Sequence, residues 1–175
     1  MSAISGYMAC ITSFFVALGQ HGVGGYVLHL LYHHINKKQM ETITVQATVN
    51  APVNKVWNYW NLPEHITKWC QASADWHAPY ADNDLRPDGK FKTTMAAKDG
   101  SFSFDFEGVY DAVEEHKLIS YTMADGRQVS ITFNGDADTT TVTETFDPES
   151  TNPIEMQQGG WQAILDSFKK YTEEN

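Results

Sequence analysis

Between Gly89 and Phe146 the chain alternates polar and apolar residues in short runs separated by turn signals. That succession leaves an antiparallel meander as the body of the fold. "GKFKTTMAA" meets "SFSFDFEGVYDAV" across Lys98-Asp99-Gly100, a hairpin signal. Phe102, Phe104 and Phe106 share one face of the second run, Ser103, Asp105 and Glu107 the other. Two carboxylates one strand period apart on an outer face read as a solvated surface rather than an acid–base pair. Gly108 interrupts the alternation and is expected to be a bulge or bend. "LISYTMAD", "QVSITFNG" and "TTTVTETFD" follow, separated by Asp125-Gly126 and Asn134-Gly135 turns. Val129, Ile131 and Phe133 make one face, and Val142, Glu144 and Phe146 alternate with Thr141, Thr143 and Thr145.

The meander is flanked by other elements. "METITVQATVNAP" alternates through Ile43, Val45, Ala47 and Val49 and predicts a half-buried strand, stopped by Pro52 at the first position of a helix. Val53, Val56, Trp57 and Trp60 then form one stripe of a short amphipathic helix. Pro63 opens a second, with Ile66 and Trp69 on one side. A longer helix closes the chain, its stripe built from Trp161, Ile164, Leu165, Phe168 and Tyr171, with Asp166, Lys169 and Lys170 outside it. A curved sheet must cover its concave apolar face, and only the last helix is long enough. The class is α+β, a sheet wrapped around a helix.

Charge divides the chain. All 22 acidic residues lie from residue 40 onward with ten basic ones, a formal −12 for that part against −10 for the whole. So acidic a domain lacks the basic surface that neutralises phosphates, which argues against a nucleic-acid partner. Two cysteines, Cys10 and Cys70, provide neither a disulfide framework nor a zinc site, and a cytoplasmic location is expected. Residues 1–39 are apolar, with no Asp or Glu and only Lys37 and Lys38 as basic residues. His21, Gly22, Gly24 and Gly25 break the apolar run below membrane-spanning length, and the basic residues follow it, where a secretory signal would carry them first. The segment is expected to be an extension or misassigned start ahead of a domain over 40–175. The alternative is a membrane or oligomer contact, in which Lys37 and Lys38 would keep the domain cytoplasmic.

"APVNKVWNYWNLPEHITKWC" resembles the opening signature of the START-like, Bet v 1-like (SRPBCC) helix-grip superfamily, within it the group named after the heat-shock protein 90 ATPase activator homologue. The pattern is carried by Ala51-Pro52, Val56-Trp57, Trp60, Pro63-Glu64-His65-Ile66 and Trp69. "DLRPDGKF" resembles the group's Asp-Leu-Arg and Gly-Gly-x-Phe segment, with Asp88 in place of the first glycine. "FEGVYDAVEEHKLISYT", "TTTVTETF" and "GGWQAILDSFKKY" resemble its later strands and closing helix, so the resemblance runs from Met40 to Tyr171. It implies seven strands, two short helices and a long C-terminal helix around an internal cavity. Members of the superfamily bind lipids, hormones or polyketides, and some act as cyclases.

Ligand-contacting residues are sought first on the inward faces: Phe91, Phe104, Phe106, Tyr121, Met123, Ile131, Phe133, Trp161, Leu165 and Phe168. Any one of them also serves as ordinary core, but the superfamily architecture leaves interior room for a modest apolar ligand. Trp57 and Trp60 either wedge the short helices against the sheet or line the cavity mouth; helical spacing favours the wedge. Trp60 and Trp69 are nevertheless carried as candidate ligand contacts. Arg86 either locks its loop through Asp84 or faces an anionic group at the rim. His65 and His77, twelve residues apart with Asp75 nearby, have no ligand rhythm and read as turn and surface positions.

Neither a nucleophile elbow, a phosphate loop nor a dinucleotide fingerprint is present, and no metal or cofactor is expected. The first expectation is therefore non-enzymatic binding of a small apolar, lipid-like or aromatic ligand. A chaperone-linked, stress-response partner of the activator type is the second. A cyclase or hydrolase ranks last, because no converging polar set is visible.

Overall fold

The computed structural model describes residues 42–175; the expectation for residues 1–39 lies outside them. In chain order these are β1 (Ile43–Val49), α1 (Val53–Asn61), α2 (Pro63–Trp69), β2 (Trp76–Asn83), β3 (Lys90–Ala97), β4 (Ser103–Glu114), β5 (Leu118–Met123), β6 (Gln128–Gly135), β7 (Thr140–Phe146) and α3 (Ile154–Glu174). The strands form one antiparallel sheet in the order β1-β7-β6-β5-β4-β3-β2, curled around α3 in the α+β architecture expected. β2 to β7 follow one another by neighbouring pairings. β1 lies beside β7, so α1 and α2 bridge the two edges of the sheet.

Period-two burial in β1, β6 and β7 puts Val45, Val49, Val129, Ile131, Val142 and Phe146 on the inner face. Leu165 and Phe168 of α3 are 0% exposed against it. Each such side chain contributes about 1.5–3 kcal/mol through burial, and together they pin the helix in the sheet. α3 packs mainly on β1 and also touches α1 and α2. It reaches the outer edge of β1 as well: the Gln162 amide donates to the Gln46 carbonyl (3.2 Å) and accepts from its N–H (3.3 Å). Gln158 donates to the Thr44 carbonyl and Glu173 accepts from the Asn50 N–H.

Several local expectations shift. β2 has no counterpart among the alternating runs, because Pro79 and a register slip between His77 and Tyr80 destroy its period. The second slip in the sheet falls between Tyr110 and Ala112, while Gly108 pairs regularly with Phe91 and Met123. Gly108 is needed for a different reason: a Cβ there would lie 2.6 Å from the Thr122 carbonyl oxygen and 2.9 Å from the Phe91 ring. Asn134 and Gly135 remain in β6, and the turn follows, closed by Asp136 Oδ1 accepting from the N–H groups of Asp138 and Thr139. Pro52 caps α1 from just outside instead of occupying its first turn, whereas Pro63 does open α2. On α3 the fully buried stripe continues through Thr172; Tyr171 turns aside to His65.

Candidate functional site

Two aromatic groups occupy the space between sheet and helices. At one end Phe168 receives Trp60 at 4.7 Å and Trp69 at 5.1 Å between ring centroids, both edge-to-face. Phe133 takes the edges of Trp57 (5.1 Å) and Trp60 (5.8 Å), and Trp69 donates its indole N–H to the Tyr59 carbonyl. The amphipathic spacing of α1 thus locks α1, α2, β6 and α3 together, as a wedge would. His65 reinforces it: its Nδ1 lies 2.8 Å from the Tyr171 hydroxyl and its ring stacks on Tyr59.

The second group lies over the middle of the sheet. Phe91 contacts Tyr121 at 4.7 Å, Tyr110 at 5.2 Å and Phe106 at 5.7 Å. Trp161 of α3 stacks on Phe146 at 3.9 Å and meets Phe106 at 6.1 Å. Here the interior is not closed: Phe104, Phe106 and Gly108, three inward positions of β4, keep partial exposure, as does Trp161, while Tyr110 further along is buried. The cause is the seating of α3 on β1, which leaves the β4 side of the concave face less covered.

Among the sequence candidates, Trp60, Trp69, Phe133 and Phe168 fall in the wedge, and Phe91, Phe106, Tyr121 and Trp161 in the second group. Met123, Ile131 and Leu165 are buried inner-face residues. Phe104 stands further along β4 beside Trp76 and Phe102. Arg86 is at the surface, its side chain 64% exposed and paired with Asp84 at 2.7 Å, the loop-locking alternative. Asp105 is exposed and bound to Lys92 and Thr94; the Lys92 hydrogen bond, then that from Thr94, holds its carboxyl below the usual range. His77 sits in β2 opposite Ala96, apart from the His65–Tyr171 contact.

One residue was not among those candidates. Glu144 points inward from β7 between Val142 and Phe146, 5% exposed, with Val45 and Ile131 as its cross-strand neighbours. Among the described residues it makes no hydrogen bond and no ion pair. Burial pushes its carboxyl up to about 8. The Tyr121 hydroxyl and Cys70 thiol are raised first by their own burial and then by the charge of Glu144, which places both within its field. The signal was an acid on the apolar face of an alternating strand. Cys70, pushed up to about 12, stays a thiol at neutral pH and is no nucleophile.

A polar relay closes the far side. The Tyr110 hydroxyl donates to Asn83 Oδ1, Asn83 Nδ2 to the Asn61 carbonyl, and Asn61 Nδ2 to the Trp57 carbonyl. It ties the edge strand β2 and β4 to α1 with its buried polar groups satisfied. Among the described residues no three His, Cys, Asp or Glu side chains converge as metal ligands. No described helix is long and apolar enough to cross a membrane.

Residues 50–173 match the family described as Activator of Hsp90 ATPase homolog 1-like protein. The chain is similar to the solution structure of the AHSA1-like protein from Aeromonas hydrophila, with 43% identity and a TM-score of 0.72 over 76% of this chain and 92% of that one. It is similar also to a solution structure from Cytophaga hutchinsonii, 63% identical with a TM-score of 0.67 over 77% and 93%. A crystal structure from Nitrosomonas europaea, 19% identical with a TM-score of 0.65 over 76% and 94%, shares the fold. No curated protein matches.

Proposed function

The chain belongs to the Activator of Hsp90 ATPase homolog 1-like family, and on that premise we propose that it binds a small, largely apolar ligand between the concave face of its sheet and α3, without catalysing a reaction. The observation that carries this reading is the partial exposure of inward-facing Phe104, Phe106 and Trp161. Aromatic side chains that point into a fold yet keep solvent access form a concave apolar surface, the usual lining of a small-molecule site. A dry core would have closed over them, as it has over Phe146 and Phe168. The absence of an ionised Cys70 supports binding over nucleophilic chemistry.

Displacement of an environment-sensitive naphthalene dye, together with native mass spectrometry after mild purification, tests the proposal. The wild-type chain should bind the dye saturably, and Trp161→Ala should weaken it by about tenfold, the equivalent of one lost aromatic contact. A chain that carries nothing and binds no dye would show these aromatics to be core alone. The family description supplies a competing reading, action on a chaperone ATPase. Stimulation of that ATPase, unchanged by Trp161→Ala, would replace the ligand proposal with that one.

A further inference from the structure

Glu144 is an uncommon thing to find in this interior. A carboxyl transferred from water to an apolar site costs several kcal/mol unless it is paired, so buried acids normally have a partner in the fold. Its neighbours across the sheet, Val45 and Ile131, offer none, and neither do Val142 and Phe146 on the same face of β7. The titratable groups that feel its charge are Cys70 at the end of α2 and Tyr121 on β5, both held neutral by burial. Among the described residues, Arg127 is the cation felt at Tyr121, and it is paired with Asp125.

Among the described residues, then, the carboxyl has no partner. Building on the ligand-binding reading above, we infer that the occupant is a hydrophobic amine, its protonated nitrogen seated against the Glu144 carboxyl and its apolar body against Phe106 and Trp161. A cation fits this place twice over, since aromatic faces attract it as well as the carboxylate. The formal charge of −10 draws cations to the molecule and repels anions. A fatty acid fits poorly: it would bring a second carboxylate to a site with no free base among the described residues.

The pairing has a pH signature. Glu144, held near about 8 when empty, must ionise to pair with an ammonium group, so binding releases a proton below that pH. Affinity for the amine therefore rises up to about tenfold per pH unit toward 8, levels off, and falls when the amine itself loses its proton near about 10. A neutral ligand of the same body shows no such rise.

Octylamine, octanol and octanoate, titrated into the full chain and followed by calorimetry at about pH 6 and about pH 8.5, distinguish the possibilities. Octylamine is expected to bind at least about tenfold more tightly than octanol at the higher pH, with a smaller margin at the lower, and octanoate most weakly. Glu144→Gln should erase the amine preference and keep octanol binding, which also reports an intact interior. If that variant loses octanol too, the wild-type pH profile decides. Octanol binding with no amine preference, or a preference that survives Glu144→Gln, overturns the inference and leaves the apolar-ligand reading standing. Failure of all three to bind overturns both.

Discussion

Replacing Glu144 by Gln should make the protein more stable, by an amount that grows with pH. In the unfolded chain the carboxyl has its ordinary value of 4.5, and in the fold burial carries it to about 8. The folded state therefore holds the proton more tightly. The stability this contributes is fully present below 4.5, is lost as pH rises, and is gone above about 8. At about 1.36 kcal/mol per pH unit the whole loss amounts to about 5 kcal/mol, of which about 3 has accrued by pH 7. That is a large part of the ~5–15 kcal/mol available to a domain. Gln has the shape of the protonated acid but cannot ionise. Wild type and Glu144→Gln should thus unfold in urea at similar concentrations near about pH 5 and diverge above it, the variant being the more resistant. Other acids, such as Asp105, titrate identically in both proteins and cancel. A gap that stays constant with pH, or a variant less stable at about pH 8.5, would mean that the carboxylate is ionised and paired in the fold, and the reasoning fails.

Three further outcomes are expected. Gly108→Ala should cost about 1–3 kcal/mol in chemical denaturation, because the new methyl meets the Thr122 carbonyl and Phe91 ring; a neutral result would show that the ring can move aside. Asp88→Gly should gain up to about 1 kcal/mol, since Asp88 sits at φ 63°, where a side chain is strained; a loss would show that its carboxylate contributes more than the strain costs. Cys70, buried and with its thiol pushed up to about 12, should resist iodoacetamide at neutral pH in the native protein and react once urea unfolds it, as mass spectrometry can follow.

The strands β1 and β3 to β7 were legible because each buries one face, so the hydrophobic effect writes a period of two into the residues. β2 was not, because an edge strand with Pro79 and a slipped register has no such constraint to record. The shifted bulge has a similar origin. A glycine marks either a bend or a close approach, and only the position of the Phe91 ring shows that Gly108 is the second. Asp88 was legible in part: it stands where the resembling family has glycine, and it adopts a glycine-like backbone. For the candidate site, aromatic residues drew attention by size and Arg86 by charge. Glu144 lay in plain view on the alternating face of "TTTVTETF". It escaped selection because its meaning depends on having no partner among the described residues, a property of three-dimensional surroundings that spacing along a chain does not encode.

The grip of α3 on β1 has a consequence beyond the single molecule. An outermost strand with free N–H and C=O groups is a template on which a second chain can add its own strand. Gln162 meets the backbone of Gln46 with both ends of its amide, as an incoming strand would, while Gln158 and Glu173 occupy neighbouring positions. At the opposite margin Pro79 removes a donor and the slip beside it bends the row out of line. The C-terminal helix therefore guards the protein against its own copies. A chain truncated ahead of Gln158 would offer neighbours an open seam, making aggregation as immediate a consequence as the loss of the core.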